Sequence, residues 1–317
     1  MSRSGINLGV VMDPIENIKP VKDTTLAMLL AAQRRDWALW YMNLGDIRLE
    51  NGSAIAHMCE LTVRDDLDDW YAIGDKRETT LTDLDIVLMR KDPPFDMEYI
   101  YATYILEIAE KSGVLVGNPP QALRDINEKT STAWFPDLCP ATLVSRSMSE
   151  MRRFATLHKK IVVKPLDGMG GKSIFVVADD DPNINVVLET LTDFGSRFAM
   201  AQAFVPEITA GDKRILLVDG VAVPYSLARI PKKGENRGNL AAGATAKGMP
   251  LSDSDRKIAQ AIGPAMVERG LLFVGIDVIG EALTEINVTS PTCIRELDAE
   301  FDLDIAGDYM KALAKRL

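Results

Sequence analysis

The first third of the chain alternates apolar strand patterns with helix patterns, and that alternation restricts the fold more than any other feature. Ile6–Met12 is an almost unbroken apolar run, Asp23 or Thr24 can cap a helix through Leu26–Arg35, and Asp85–Met89 is a second apolar run. A helix is predicted near Met97–Lys111 and a third strand at Val114–Gly117, stopped by Asn118-Pro119-Pro120. Apolar strands separated by helices read as a parallel sheet covered on both faces. Ligands of such sheets bind beyond the carboxyl ends of the strands, where Asp13, Arg90, Lys91 and Asp92 fall.

The pattern then changes. Ser147-x-x-Glu150 is a capping-box signal for a helix through His158. Ile161–Lys164 and Ser173–Val177 read as strands joined by Pro165-Leu-Asp-Gly-Met-Gly-Gly-Lys172, followed by a helix near Val186–Phe194 and a strand near Phe198–Gln202. Asp219-Gly220 between Ile215–Val218 and Val221–Tyr225 is a hairpin signal. Pro231–Pro250 has no apolar periodicity, as expected of a functional lid or of a disordered segment. A capped helix over Ser252–Arg269 and a strand over Leu271–Ile279 follow.

Composition removes several function classes. Against 46 Asp and Glu there are 36 Lys and Arg, a net charge of −10, which disfavours a nucleic-acid or anionic-membrane partner. No apolar run approaches the ~18 residues that span a bilayer, and the N-terminus reads as the start of the fold instead of a signal peptide. Cys59, Cys139 and Cys293 are odd in number and far apart, which fits a reducing cytoplasm and no disulfide framework. With only His57 and His158, Ser-His-Asp catalysis and multi-His zinc sites are poor candidates. His158, beside two lysines, reads as a solvated helix-end residue, and Cys293, with no histidine near it in sequence, as a small buried one.

Asp167-Gly-Met-Gly-Gly-Lys-Ser173 resembles a P-loop only superficially. Leu166 stands where the first P-loop glycine is needed, and β-branched residues follow where a helix should open. The segment reads as a glycine loop between antiparallel strands, with backbone N–H groups free to cover phosphates. Lys164 in an apolar strand and Lys129 in Asn127-Glu-Lys-Thr130 are candidate phosphate ligands. Asp277 lies among apolar strand residues, and Glu285 and Asn287, two apart, share one strand face. A three-residue turn at Gly280-Glu281-Ala282 would set Asp277 opposite Glu285, giving an all-oxygen set suited to Mg²⁺. Arg90, Arg214, Arg229, Arg237 and Arg295 are candidates for binding an anionic substrate.

Six strings, Met12-Asp-Pro14, Leu88-Met-Arg-Lys-Asp-Pro-Pro-Phe-Asp96, Lys164-Pro-Leu-Asp-Gly-Met-Gly-Gly171, Ala228-Arg-Ile-Pro231, Arg237-Gly-Asn-Leu-Ala-Ala-Gly243 and Glu285-Ile-Asn-Val-Thr-Ser-Pro-Thr-Cys293, closely resemble the bacterial glutathione synthetase family of ATP-grasp ligases. The resemblance runs from about Leu8 to Glu300. It implies an α/β fold with an α+β lid: a Rossmann-like parallel-sheet domain over 1–126 and an ATP-grasp domain over 127–317, divided into a lid subdomain over 127–203 and a catalytic subdomain over 204–317 that carries the mobile loop 231–250. It further implies an enzyme joining γ-glutamylcysteine to glycine through an acylphosphate, with ATP as co-substrate and Mg²⁺, or Mn²⁺, as cofactor. By position, Lys129, Lys164, Gly168, Met169, Gly170, Gly171, Gln202, Ala203, Phe204, Val205 and Asp212 would bind ATP, and Asp277, Glu285 and Asn287 the metal. Arg90, Arg214, Arg229, Ser290, Arg295 and Glu296 would bind the peptide, and Arg214, Arg229, Arg237 and Asn239 would act in catalysis. A cytoplasmic homotetramer is implied too.

One departure stands out. The family's loop usually reads Ala-Ala-Gly-Gly-Arg, whereas Ala241-Ala-Gly-Ala-Thr245 lacks the second glycine and the arginine, with Lys247 nearby. Two other readings remain open: an ATP-grasp ligase for a different amino-acid acceptor, and a non-catalytic ATP-binding regulator similar to synapsin. The Arg90–Asp96 and Asn287–Cys293 strings disfavour the first, and the intact metal set disfavours the second.

Overall fold

In the computed structural model, residues 5–232, 234–235, 238 and 243–317 are described. Strands β1 (Asn7–Val11), β2 (Ala38–Met42), β6 (Ile86–Met89) and β7 (Leu115–Gly117) form the expected parallel array, in the order β2-β1-β6-β7. The sheet is nevertheless mixed, which corrects the all-parallel expectation. Between β2 and β6 the chain adds β3 (Ile47–Glu50), β4 (Ser53–Val63) and β5 (Tyr71–Thr80), all antiparallel. The 11-residue β4 pairs β3 and β2 end to end along one edge and β5 along the other. Most of β5 is exposed and polar, so it carries no apolar run to announce it.

Helix α1 (Thr24–Gln33) starts where Asp23 accepts the N–H of Leu26 at 2.7 Å, and α2 (Met97–Lys111) where Asp96 accepts that of Tyr99 at 3.0 Å. Helix α3 (Pro120–Asp125) then leads into the second sheet. That sheet, in the order β10-β9-β11-β8, contains β8 (Thr142–Ser145), β9 (Lys160–Pro165), β10 (Phe175–Ala178) and β11 (Ala199–Ala203). Helices α4 (Met148–His158) and α5 (Ile184–Thr192) cover it. Ser147 accepts from the N–H of Glu150, but the Glu150 carboxylate turns to Arg153 at 2.6 Å, so only half of the expected capping box is present there. His158 does close α4, yet it packs on Phe154 with ring centroids 4.3 Å apart instead of standing free in solvent.

The third sheet, β14-β13-β12-β15-β16, comprises β12 (Asp212–Val218), β13 (Val221–Ile230), β14 (Thr245–Pro250), β15 (Phe273–Ile279) and β16 (Ala282–Asn287). Helix α6 (Asp253–Glu268), opened by a full Ser252/Asp255 capping box, and the C-terminal α7 (Ile294–Phe301) and α8 (Ile305–Ala314) flank it. The expected loop 231–250 is therefore shorter than predicted, because Thr245–Pro250 pairs along β13. That strand is mostly exposed, which hides it from hydrophobic periodicity.

Apolar burial divides the molecule in two. Alternate residues of β1 and β6 enter two clusters on opposite faces: Val11, Val87 and Met89 in one, Leu8, Val10 and Leu88 in the other. Each cluster also contains residues of the third sheet, so the first and third sheets share their cores. The second sheet and its helices have a separate core around Met151, Ile161, Val163 and Leu188. A cleft between this separately packed unit and the third sheet is where the candidate site lies.

Candidate active site

The glycine loop is a hairpin connection, as the sequence indicated. β9 and β10 pair antiparallel through Val163 and Phe175, and no helix follows the loop. Gly170 and Gly171 have φ of 64° and 78°, the left-handed region that a side chain would resist. Beneath the loop is a narrow cavity of about 100 Å³, walled by Val162, Lys164 and Val176, by Gln202–Val205 at the end of β11, and by Lys129, Asp212, Asp277 and Glu285. Apolar strand residues around a small slot, next to a row of charges, suit a purine with its phosphates. Gln202 is fixed there by donating to the Thr142 hydroxyl at 3.1 Å.

A second cavity of about 460 Å³ adjoins the first, and Met169 and Gly170 line both. Its walls include Asp13, Asp92, Glu128, Arg214, Arg229, Asn287, Ser290, Cys293 and Glu296. Asp277 and Glu285 thus face the narrow cavity and Asn287 the wide one.

The third sheet builds the charged floor. Asp212 pairs with Arg229, Arg214 with Asp277, and Asp277 with Glu285 across neighbouring strands, so these side chains share one face. The Asp277–Glu285 pairing was expected, but not its cause. The turn is only Gly280–Glu281, and Thr284 is an extra residue bulged out of β16 that restores the register. The carbonyl of Thr284 accepts from Lys164 Nζ at 3.4 Å, and its hydroxyl donates to the Asp277 carbonyl at 3.1 Å.

Arg214 holds Asp277 in a two-point fork through Nε and Nη2, the latter at 2.9 Å. Arg229 Nη2 lies 2.9 Å from Asp277 and 2.6 Å from Asp212. Burial opposes ionisation of Asp277, yet the two guanidinium groups outweigh it and hold its carboxyl well below the ordinary range. Asp212 goes the other way. Burial, with repulsion from Asp277 and Glu285, pushes its carboxyl up to about 6 against the pull of Arg229, and its Oδ1 is buried without a partner. Lys129 Nζ donates to the Gly168 carbonyl at 2.7 Å, and Lys129 and Lys164 lie 3.8 and 3.5 Å from Glu285. Burial lowers the Lys164 ammonium, opposed by Glu285 and helped by Lys129. These four cations face three carboxylates, an excess of one positive charge that suits a polyphosphate.

Not every expected residue comes together. Arg90 is buried away from both cavities, donating to the Thr25 hydroxyl at 3.1 Å and the Pro291 carbonyl at 3.0 Å, where it fastens the loop at Pro291 to the first domain. Arg295 points to Asp65 at 2.5 Å. Ser290 lines the wide cavity and donates to the Arg90 carbonyl at 3.3 Å; Glu296 lines it with Oε2 buried and unpartnered. Arg237 and Asn239 lie outside the described residues, although Gly238 between them lines the narrow cavity beside Asp212. Cys293 is buried in the wide cavity's wall, and burial pushes its thiol up, which fits a wall residue better than a nucleophile. Thr284 had no signal in the sequence, because a bulge has no periodicity.

A divalent cation fits the donors that are present. Asp277, Glu285 and Asn287 offer hard oxygens from one face of the paired strands β15 and β16. Among the described residues no three His, Cys, Asp or Glu side chains converge as a ready metal cage, so such a cation would need phosphate oxygens to complete its shell.

Comparison with known proteins agrees in extent and kind. Residues 6–124 match the N-terminal domain of prokaryotic glutathione synthetase, and 128–302 match its ATP-grasp domain. The chain is 59% identical over 312 residues to a glutathione synthetase of Shewanella oneidensis, covering 98% of this chain and 99% of that one. The corresponding protein of Escherichia coli (strain K12) is 57% identical over 312 residues, with the same coverage. Among solved structures, D-cycloserine synthetase DcsG superposes with a TM-score of 0.69 at 15% identity over 98% of this chain and 99% of that chain, a likeness of fold alone.

Proposed function

The chain belongs to the prokaryotic glutathione synthetase family, and from that membership we infer that it makes glutathione, ligating γ-glutamylcysteine to glycine while ATP becomes ADP and phosphate. The observation that carries the reading at residue level is the junction of two cavities at Met169 and Gly170, over the Asp277–Arg214–Arg229 knot. A phosphoryl donor on one side and a carboxylate on the other would meet there.

The residues divide the work as follows. Lys129, Lys164 and the backbone of Gly168–Gly171 hold the phosphates, Gln202–Val205 borders the adenine, and Asp212 faces the nucleotide. Arg214 and Arg229 use guanidinium donors not committed to Asp277 to orient the cysteinyl carboxylate of the peptide. One oxygen of that carboxylate attacks the γ-phosphorus as ADP leaves, forming an acylphosphate. The neutral amine of glycine then attacks the acyl carbon, the carboxylate-derived oxygen departs with phosphate, and the amine's surplus proton is lost as the amide forms. Ser290 and Glu296 complete the peptide pocket, while Arg90 supports it from behind. Arg237 and Asn239 belong to the closing loop, which keeps water from the acylphosphate. Mg²⁺ held by Asp277, Glu285 and Asn287 would neutralise phosphate oxygens, and Mn²⁺ could replace it. A reducing cytoplasm and a homotetramer accompany this reading.

Peptide labelled with ¹⁸O in the cysteinyl carboxylate tests the reaction. One labelled oxygen should leave in each phosphate; unlabelled phosphate would contradict acyl transfer through that carboxylate.

A further inference from the structure

At Asn287 the pairing of β16 with β15 ends, opposite Gly275. The next peptide groups leave the ladder, and buried backbone groups need other partners. Those partners come from the segment that leads out of the first domain. Oε1 of Glu128 accepts the N–H of Val288 at 3.0 Å, the N–H of Thr289 at 3.1 Å and the Thr289 hydroxyl at 2.8 Å. The carbonyl of Glu128 also accepts the N–H of Ile286 at 2.9 Å. From the other side, Asn118 Nδ2 donates to the Val288 carbonyl at 2.9 Å. Asn287 therefore stands between residues gripped before and after it by one glutamate.

Glu128 precedes Lys129, whose ammonium reaches the other way to the Gly168 carbonyl at 2.7 Å. Adjacent side chains thus tie the glycine loop and the end of β16 to the same short segment. A single carboxylate oxygen taking three donors from two successive residues fixes both of them to one point. A neutral amide ligand such as Asn287 has little charge to offer a cation, so its contribution depends on placement. Metal–ligand distances tolerate only about 0.2 Å.

We propose that Glu128 is a positioning residue for the ligation, fixing Asn287 by gripping Val288 and Thr289 and thereby setting the affinity of the site for a cation–nucleotide complex. This rests on the reading of Asn287 as a metal ligand.

The test measures binding of Mn²⁺–ADP, from the electron paramagnetic resonance signal of free Mn²⁺, to the full chain and to Glu128→Ala, Glu128→Gln, Asn287→Ala and the Glu128→Ala/Asn287→Ala double variant. Glu128→Ala and Asn287→Ala should each weaken binding about tenfold, and Glu128→Gln, which keeps an acceptor oxygen, less than about threefold. The double variant should bind no more weakly than Asn287→Ala. Parental affinity in Glu128→Ala with weakened binding in Asn287→Ala overturns the proposal alone, whereas parental affinity in Asn287→Ala overturns the metal assignment beneath it. Full additivity would mean that Glu128 acts by another route, and an equal loss in Glu128→Gln would mean that its charge and not its grip matters; either overturns the proposal. If Glu128→Ala does not fold, Thr289→Val removes one of the three donors and should weaken binding about twofold to fivefold, unchanged affinity again contradicting the proposal.

Discussion

Asp277 faces Glu285 across β15 and β16 because β16 carries one residue, Thr284, more than its partner strand at that point. The bulge keeps both carboxylates on the charged face and turns a backbone carbonyl toward Lys164. If Asp277, Glu285 and Asn287 serve one cation, they should behave as a unit. Glu285→Gln should reduce turnover by about 100-fold or more with the fold intact. Adding Asn287→Ala should cost far less than its single effect. Steady-state turnover of the two singles and the double checks this, and simple additivity would sink the shared site.

The hairpin character of the glycine loop separates two lysines. Lys164 is buried beside Glu285, whereas Lys172 is exposed at the loop's end. Lys164→Ala should lower kcat/KM by about 100-fold, and Lys172→Ala by less than about threefold. A P-loop would give the reverse order in the same assay.

Asp212 gives a pH signature. Its carboxyl is raised to about 6, so the folded chain holds a proton there that the unfolded chain has already released near its ordinary value of 3.8. Asp212 therefore favours folding at the acid end of that interval, and its contribution falls as pH rises through 6. The stability of the parent relative to Asp212→Asn, from urea unfolding, should decrease between pH 4 and pH 7. A constant or rising difference would show that this carboxyl titrates in the ordinary range.

Gly275 makes room for Arg214. A Cβ there would lie 2.9 Å from Arg214 Cδ and 2.9 Å from Pro291 Cβ. Gly275→Ala should destabilise the chain by about 1–3 kcal/mol and displace Arg214. It should raise KM for γ-glutamylcysteine more than KM for ATP, since Arg214 lines the wide cavity and not the narrow one. Equal rises would place the damage elsewhere.

Much of this was legible in the residues, for identifiable reasons. Helix α2 covers Met97–Lys111 as its pattern indicated, because an amphipathic stripe is a local signal. Lys164 and Asp277 stood out as charges inside apolar strands, and both proved buried and paired. The meander β3–β5 was illegible because its outer strand is polar and exposed. So was the bulge at Thr284, since register depends on pairing between strands. Arg90 shows the opposite failure. Its place after a parallel strand suggested ligand binding, but its guanidinium is taken up by Thr25 and Pro291 from distant parts of the chain.

The most direct measurement is phosphate release with ATP, γ-glutamylcysteine and each of the common amino acids offered singly as acceptor. Glycine should support turnover far above every other amino acid, with glutathione formed in equal amount to phosphate. A preference for another acceptor, or no dependence on any acceptor, would contradict the assignment.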